Sequence, residues 1–143
     1  MFISGVGRTK FGSLSKSLPE LAYEAMLGAI QDSPLEITDI DAIMVSNFLG
    51  GPLNGQLHLN SQVASLLPGM HIPIVRVETA CASSSVALNQ ASYCLGKHKN
   101  IMIVGVEKMT GSTLIPPTEA IAMAVDCDLD KSNGLIFPAA YAL

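Results

Sequence analysis

The stretch 72-IPIVRVETACASSSVALNQASYCLGKHKNIMIVGV-106 decides the fold predicted for this chain. Residues 72–78 are rich in Ile and Val, as short strands are, and the proline stands near the beginning, where a strand tolerates it. Residues 82–96 carry no charged side chain and predict a helix, and residues 101–106 form an apolar run typical of a strand covered on both faces. Strand, helix and strand in this order predict two parallel strands joined by a right-handed crossover.

The preceding sequence shows the same alternation. We predict strands at residues 2–6 and 41–46, and helices at residues 17–33 and about 56–67. The first helix has the clearest signals, because Ser17 and Glu20 have the spacing of a capping box and a proline follows in the first turn. The whole pattern predicts an α/β fold, a doubly wound sheet covered by helices.

The pattern weakens beyond residue 107. Residues 108–134 are predicted to be irregular, with one short helix near residues 118–125. Residues 134–143 begin an apolar pattern without a helix-stop signal or a polar tail. We therefore expect the sequence to stop inside a larger fold.

The composition is poor in charge for a single domain. Charged residues make up 14% of the 143 residues, against about 25% in ordinary domains. Between Asp41 and Lys97 the only charged residues are Arg76 and Glu78. We expect much of this stretch to be buried, part of it against another chain in a homo-oligomer. The net charge of −4 argues against a nucleic-acid surface.

Membrane and secreted classes are disfavoured as well. Glycines, prolines and amides interrupt the charge-poor stretch, so no apolar run approaches the roughly 20 residues of a spanning helix. The first residues lack the basic start and long apolar core of a signal peptide. Three cysteines, an odd number, argue against a disulfide framework. We expect a cytoplasmic protein without a membrane partner, a metal or a permanently bound cofactor.

Cys81 lies where the third predicted strand gives way to the third predicted helix. The first turn of a helix has unpaired N–H groups and the positive end of the helix dipole, which favour a thiolate over a thiol. The neighbours Thr79, Ala80 and Ala82 are small, which leaves room for an acyl group and for backbone N–H groups near a developing oxyanion. The pattern indicates a candidate nucleophile.

A purely structural role for Cys81 remains open from the residues alone, because free cysteine is among the most buried residue types. A nucleophilic cysteine also needs a base, usually a histidine. None of His58, His71 and His98 is singled out by its position in the sequence. Cys94, inside the helix, is interpreted as a buried space-filling residue.

The segments 77-VETACASSSVAL-88 and 103-IVGVEKMT-110 resemble the N-terminal half of a thiolase. The opening 5-GVGRTKFG-12 and the helix after it fit the same family, so the resemblance covers almost the whole chain. It is closest to acetyl-CoA acetyltransferases of the sterol-carrier-protein type and the archaeal type. By this resemblance, residues 1–107 are the core of the N-terminal α/β half, and residues 108–143 are the truncated start of the loop region.

The resemblance implies an acyltransferase reaction. In thiolases a cysteine, which the motif places at Cys81, is acylated by an acyl-CoA thioester. The acyl group then passes to a second acetyl-CoA, and the reverse reaction cleaves a 3-ketoacyl-CoA. Coenzyme A thioesters are thus substrates rather than bound cofactors. The resemblance also implies dimers or tetramers, with the strand before the cysteine helping to form the dimer sheet.

The sequence departs from the family in two ways. Family members commonly have glycine where Ser84 stands, so the turn or the pocket can differ here. The Gly-His-Pro segment, one of the catalytic motifs of the family's C-terminal half, does not occur. The resemblance therefore implies an incomplete N-terminal half that lacks its fifth strand and is inactive alone. It would need a C-terminal half that is on another chain or has been removed.

Two other functions stay open. The chain could be a non-catalytic, thiolase-like subunit for binding or assembly, because the base and oxyanion groups of the family are missing. It could also belong to a ketoacyl synthase or a hydroxymethylglutaryl-CoA synthase, because these enzymes share a cysteine at the start of a helix.

Overall fold

Helices pack on both faces of a three-stranded parallel sheet in the computed structural model, which describes residues 1–142 without the side chain of Ala140. The strands are β1 (Ala42–Ser46), β2 (Ile74–Val77) and β3 (Ile101–Gly105). The helices are α1 (Leu18–Gln31), α2 (Gly50–Asn54), α3 (Leu59–Ser65), α4 (Ser83–Cys94), α5 (Pro117–Ile121) and α6 (Phe137–Ala140). Short 3₁₀ turns lie at Ile37–Asp39 and Ala122–Ala124, and a π-helical turn lies at Cys127–Lys131.

The sheet has β1 at its centre, in the order β2-β1-β3, with both neighbours parallel to it. Ile43 of β1 lies opposite Ile74 of β2 and Met102 of β3. All five residues of β1 are buried, as expected for a strand that has neighbours on both edges and helices on both faces. The α/β, doubly wound fold predicted from the alternation is confirmed.

Successive side chains of β1 point to opposite faces of the sheet. Ile43 and Val45 face the larger core, where α1 and α3 pack. The other buried members of that core are Leu18, Leu21, Ala22, Met26, Ile40, Leu59, Val63, Leu67, Met102, Val104 and Val106. Met44 faces the opposite side and packs against Ala87 and Ala91 of α4. These small residues let α4 lie close to the sheet.

The first helix begins as predicted. The main-chain N–H and the hydroxyl of Ser17 both donate to the carboxylate of Glu20, at 2.7 and 2.6 Å. A proline stands in the first turn, where the missing N–H costs nothing. Leu18, Leu21 and Met26 on one face of α1 are buried against the sheet and α3. Local capping and apolar spacing therefore agree with the tertiary packing.

The strand predicted at residues 2–6 is wrong, because this segment has no regular structure. It lies instead along α1, where a Cβ added at Gly7 would be 2.2 Å from the main-chain nitrogen of Ala29. The N–H of Val6 donates to Oδ2 of Asp32 at 3.0 Å. Within residues 1–142 no strand runs beside the segment, and a strand forms only where a neighbour pairs with its main chain.

The helix predicted at residues 56–67 begins later, at Leu59, and the loop before it contains the five-residue helix α2. Gly55 ends α2 in the left-handed region, with φ of 66°, which glycine adopts at little cost. The buried side-chain oxygen of Asn47 accepts the N–H of Gly50, the first residue of α2, at 3.0 Å. This N–H therefore has a partner outside the helix.

The chain beyond β3 is largely irregular, as predicted. α5 and the 3₁₀ turn after it span residues 117–124, close to the helix predicted at residues 118–125. The predicted apolar segment at residues 134–143 includes α6 and extends to Leu143, which lies outside the described residues. In the described part of the chain, no helix combines the length and the apolar character needed to cross a bilayer.

Candidate active site

A cavity of 410 Å³ opens at the edge of the sheet where the three parallel strands end. Segments that follow each strand form its wall, as is usual at the carboxyl edge of a parallel sheet. The lining residues are Ser46, Phe48 and Leu49 at or after the end of β1, Ala80 and Cys81 between β2 and α4, Ser83 and Ser84 at the start of α4, Gly105, Val106, Glu107 and Met109 at or after the end of β3, and Ile121 and Phe137. Residues far apart in the sequence thus share one cavity.

Cys81 lies in the tight turn between β2 and α4. The preceding Ala80 has φ of 49°, in the left-handed region, which costs a residue with a Cβ about 1–2 kcal/mol. The hydroxyl of Ser83 accepts the N–H of Thr79 at 3.0 Å and donates to the carbonyl of Ala80 at 2.7 Å. The carboxylate of Glu78 accepts the N–H of Ala80 at 2.6 Å. These hydrogen bonds hold Cys81 directly before α4.

The thiol of Cys81 is exposed and lines the cavity. Because α4 begins two residues later and runs for 12 residues, Cys81 lies next to the positive end of the helix dipole. The N–H of Ser83, the first residue of α4, donates to the carbonyl of Ala80 at 3.2 Å. Cys94 is half-buried in the smaller core, and Cys127 is exposed on the π-helical turn, outside the cavity wall. Of the three cysteines, Cys81 alone is placed where a substrate could enter.

None of the three histidines lines the cavity. His58 precedes α3 and His71 lies in the loop before β2, both exposed, and His98 is half-buried in the turn after α4. Cys81 and Glu107 are the ionisable side chains of the described cavity wall. Among residues 1–142, no group of three or more His, Cys, Asp or Glu side chains is placed to hold a metal.

Glu107 joins the loop after β3 to the loop after β1. Its Oε1 accepts the N–H of Phe48 at 2.5 Å, and its Oε2 accepts the N–H of Leu49 and the side-chain amide of Asn47, both at 3.1 Å. Both carboxylate oxygens therefore already accept hydrogen bonds. This arrangement is typical of a carboxylate that orders a loop rather than one that is free to act as a base.

Burial raises the pKa of Glu107 above its usual value, although the N–H groups of Phe48 and Leu49 and the Arg76 guanidinium act in the opposite direction.

Arg76 of β2 also holds the loop after β1. Its Nη2 donates to the carbonyl of Asn47 at 3.1 Å, and its Nη1 donates to the carbonyl of Leu57 at 3.1 Å. Glu107 thus binds N–H groups of the loop, and Arg76 binds a carbonyl of it.

Sequence reasoning singled out Cys81 and missed the residues that build its surroundings. Ser46, Asn47 and Glu107 each lie at a strand end or just after one. Polar residues at the carboxyl ends of neighbouring parallel strands are the signal that could have indicated them. Ser84, recognised only as a departure from the thiolase motif, lines the cavity, and its hydroxyl lies 2.6 Å from that of Ser46.

Residues 1–141 match the family model of the thiolase N-terminal domain. The chain belongs to the thiolase family. The match covers both segments that carried the resemblance, the one around Cys81 and the one around Glu107, and that resemblance is confirmed.

Two relatives of this thiolase-family chain are considerably longer than it. It is 40% identical over 144 residues to the acetyl-CoA acetyltransferase of Methanothermobacter thermautotrophicus, covering 99% of this chain and 37% of that protein. It is 38% identical over 144 residues to the acetyl-CoA acetyltransferase of Methanocaldococcus jannaschii, covering 99% and 36%. The chain therefore spans just over a third of the length of these relatives.

The solved structure of an acetyl-CoA acetyltransferase from Syntrophomonas wolfei has a similar fold. The TM-score is 0.53 at 22% sequence identity, over 66% of this chain and 24% of that one. At this identity the likeness concerns the fold alone. It agrees with a sheet covered by helices that forms part of a thiolase fold.

Proposed function

We propose that this chain carries the acylated cysteine of a CoA-dependent acyltransferase, with Cys81 as the nucleophile. The observation that carries the proposal is the position of the exposed Cys81 thiol in the cavity wall, directly before α4. Membership of the thiolase family supports the class of reaction. The names of the two relatives, both acetyl-CoA acetyltransferases, support it further.

The reaction begins with attack of the Cys81 thiolate on the carbonyl carbon of an acyl-CoA thioester. A sulfur–carbon bond forms to Cys81, the bond from that carbon to the sulfur of coenzyme A breaks, and the released thiolate takes up a proton. An acceptor acetyl-CoA then loses a proton from its methyl group and forms a carbon–carbon bond to the acyl carbon. The Cys81 sulfur leaves in this second step, and the reverse sequence cleaves a 3-ketoacyl-CoA.

The proton transfers need a base, and no histidine lines the described cavity wall. We assign the base to a C-terminal half, in the same polypeptide or on another chain. The coverage of just over a third of the relatives supports this division. On this proposal residues 1–107 are the core of the N-terminal half, residues 108–143 begin its loop region, and the chain alone does not turn over substrate. Coenzyme A thioesters are substrates and not resident cofactors.

The proposal includes a homo-oligomer that associates along β2. This strand pairs with β1 on one side only. On its outer edge the carbonyl of Ile74 accepts the side-chain amide of Asn60 at 3.1 Å, and the other main-chain groups of that edge are available to a second copy. Val75 on this strand is 46% exposed. The proposal also includes a cytoplasmic location. The three cysteines without a disulfide support this location, because they suit a reducing compartment.

Competitive alkylation of the 143-residue chain tests the role of Cys81. A limiting amount of iodoacetamide is added at neutral pH, and the modification of each cysteine peptide is followed by mass spectrometry. An ordinary thiol is only a few per cent thiolate at that pH. We therefore expect Cys81 to react about ten-fold faster than Cys127, which is also exposed. Equal rates at the two cysteines would show that Cys81 is not an activated nucleophile.

Incubation with acetyl-CoA tests the acyl transfer itself. We expect an acetyl group on the Cys81 peptide of the wild type and of Cys127→Ser, and none in Cys81→Ser. If the chain takes up no acetyl group even when a thiolase C-terminal half is supplied, the non-catalytic subunit is the better assignment. Products formed from acetyl-CoA with acetoacetyl-CoA separate a thiolase from a ketoacyl synthase or a hydroxymethylglutaryl-CoA synthase.

A further inference from the structure

Two serine hydroxyls meet in the wall of the cavity that contains Cys81. The Oγ atoms of Ser46, at the end of β1, and Ser84, in the first turn of α4, lie 2.6 Å apart. Ser46 is only 2% exposed, whereas Ser84 is exposed toward the cavity that both residues line. Within the described residues, neither hydroxyl makes a second hydrogen bond.

The space for this pair exists because position 105 on β3 has no side chain. A Cβ added at Gly105 would lie 2.7 Å from the Oγ of Ser84 and 3.1 Å from the Oγ of Ser46. The first distance is too short for a carbon–oxygen contact, and the second is tight, so a side chain at position 105 would displace the hydroxyl of Ser84. The hydrogen bond between the two serines therefore depends on one residue from each of three elements: Ser46 of β1, Gly105 of β3 and Ser84 of α4.

The number of protons in the pair shows which hydroxyl can act on a ligand. Two hydroxyls bring two protons, and their mutual hydrogen bond uses one. Buried donors are almost always paired, and Ser84 is the acceptor within reach of the buried Ser46. We assign the donor role to Ser46, the buried partner, and the proton of Ser84 is then left for a group inside the cavity.

Cys81, in the turn before α4, and Ser84, in the first turn of α4, are three residues apart and line the same cavity. We propose that Ser84, oriented by Ser46, determines acyl specificity by donating a hydrogen bond to an oxygen that the acyl group on Cys81 carries beyond its thioester carbonyl. A short oxygen-bearing acyl group satisfies the hydroxyl. A hydrocarbon chain of the same length leaves it unpaired. This inference rests on the proposed role of Cys81 and adds the class of acyl group that the site takes.

Thiol–disulfide exchange on the 143-residue chain measures this preference without turnover. The chain is equilibrated with equal concentrations of 2-hydroxyethyl and n-propyl disulfides, which place groups of the same length on a cysteine, one ending in a hydroxyl and one in a methyl. Mass spectrometry gives the ratio of hydroxyethyl to propyl adduct on Cys81. The ratio on the exposed Cys127 of the same molecules is the solvent reference.

We expect the ratio on Cys81, relative to Cys127, to fall about five-fold from the wild type to Ser84→Ala, the size of one hydrogen bond. Ser46→Ala is expected to lower it less, because Ser84 keeps its hydroxyl and loses only its orientation. Ser85→Ala, a change of the next serine on α4, which does not line the cavity, should leave the ratio unchanged.

A ratio on Cys81 that Ser84→Ala leaves unchanged would overturn the specificity role, and so would an equal fall in Ser85→Ala. This outcome is separate from failure of the proposed function. Loss of the nucleophile assignment is seen in the iodoacetamide rates, whereas the exchange ratio is an equilibrium quantity that does not depend on how fast Cys81 reacts.

Discussion

The carboxylate of Glu107 accepts the main-chain N–H of Phe48 at 2.5 Å, across 59 positions of sequence. This contact ties the loop after β3 to the loop after β1, and both loops form parts of the cavity wall. Leu49 and Asn47 bind the same carboxylate. The shape of the cavity around Cys81 therefore depends on a side chain that belongs to a different strand end.

Glu107→Ala should loosen the loop after β1. The N–H groups of Phe48 and Leu49 lose their acceptor, and we expect their amide hydrogen exchange to speed up roughly ten-fold, because each loses a charge-assisted hydrogen bond. Glu119→Ala, which removes an exposed glutamate elsewhere, is the matched control and should not change these rates. Unchanged protection of both amides in Glu107→Ala would contradict the role assigned to the carboxylate.

The raised pKa of Glu107 gives the stability a predictable pH dependence. Its carboxyl binds a proton more readily in the folded chain than in the unfolded chain. Its contribution to stability is therefore fully present below the unfolded pKa and is lost as the pH rises through the folded pKa. We expect the free energy of unfolding of the wild type to fall relative to that of Glu107→Gln as the pH rises from about 4 to about 7. Urea unfolding of both proteins measures this difference, and a rise with pH would mean that the pKa is lowered instead.

Leu59→Ala should be strongly destabilising. Leu59 begins α3, is 0% exposed and belongs to the larger core. Removing its side chain leaves a cavity, and we expect the free energy of unfolding to fall by about 2–5 kcal/mol. Leu57→Ala, two residues earlier, removes a side chain that is 69% exposed and should change stability by less than about 0.5 kcal/mol. Similar losses in the two variants would show that α3 does not pack as described.

Gly7→Ala should detach the N-terminal segment from α1. The new Cβ would lie 2.2 Å from the main-chain nitrogen of Ala29 and 2.3 Å from the carbonyl oxygen of Ala25, so the segment and the helix would have to separate. We expect a loss of about 1–3 kcal/mol in stability and faster tryptic cleavage after Arg8 and Lys10. Gly96→Ala adds a Cβ with nothing within 4 Å and serves as the control. Equal cleavage rates in both variants would argue that the segment is not held by this contact.

The sequence predicted the features of this fold that depend on nearby residues, but not those that depend on which elements lie side by side. The capping box of Ser17 and Glu20 uses residues three apart, and α1 begins where that pattern indicates. Residues 2–6 have strand propensity, yet they lie unpaired along α1, because a strand depends on a neighbour that the local pattern does not contain. The same limit applies to the site, where the local sequence points to Cys81, whereas the contacts of Glu107 with Phe48 and Leu49 join segments nearly 60 positions apart.

By itself the sequence determined the features that rest on near neighbours: the start of α1, the strands β1 and β3, the position of Cys81 before a helix, and the thiolase motifs around it. Only the tertiary structure decided the order β2-β1-β3 and the contacts of the cavity wall, such as those between Ser46 and Ser84 and between Phe48 and Glu107. Those contacts join residues 38 and 59 positions apart. Their proximity follows from the packing of strands and helices into one core, which no local pattern encodes.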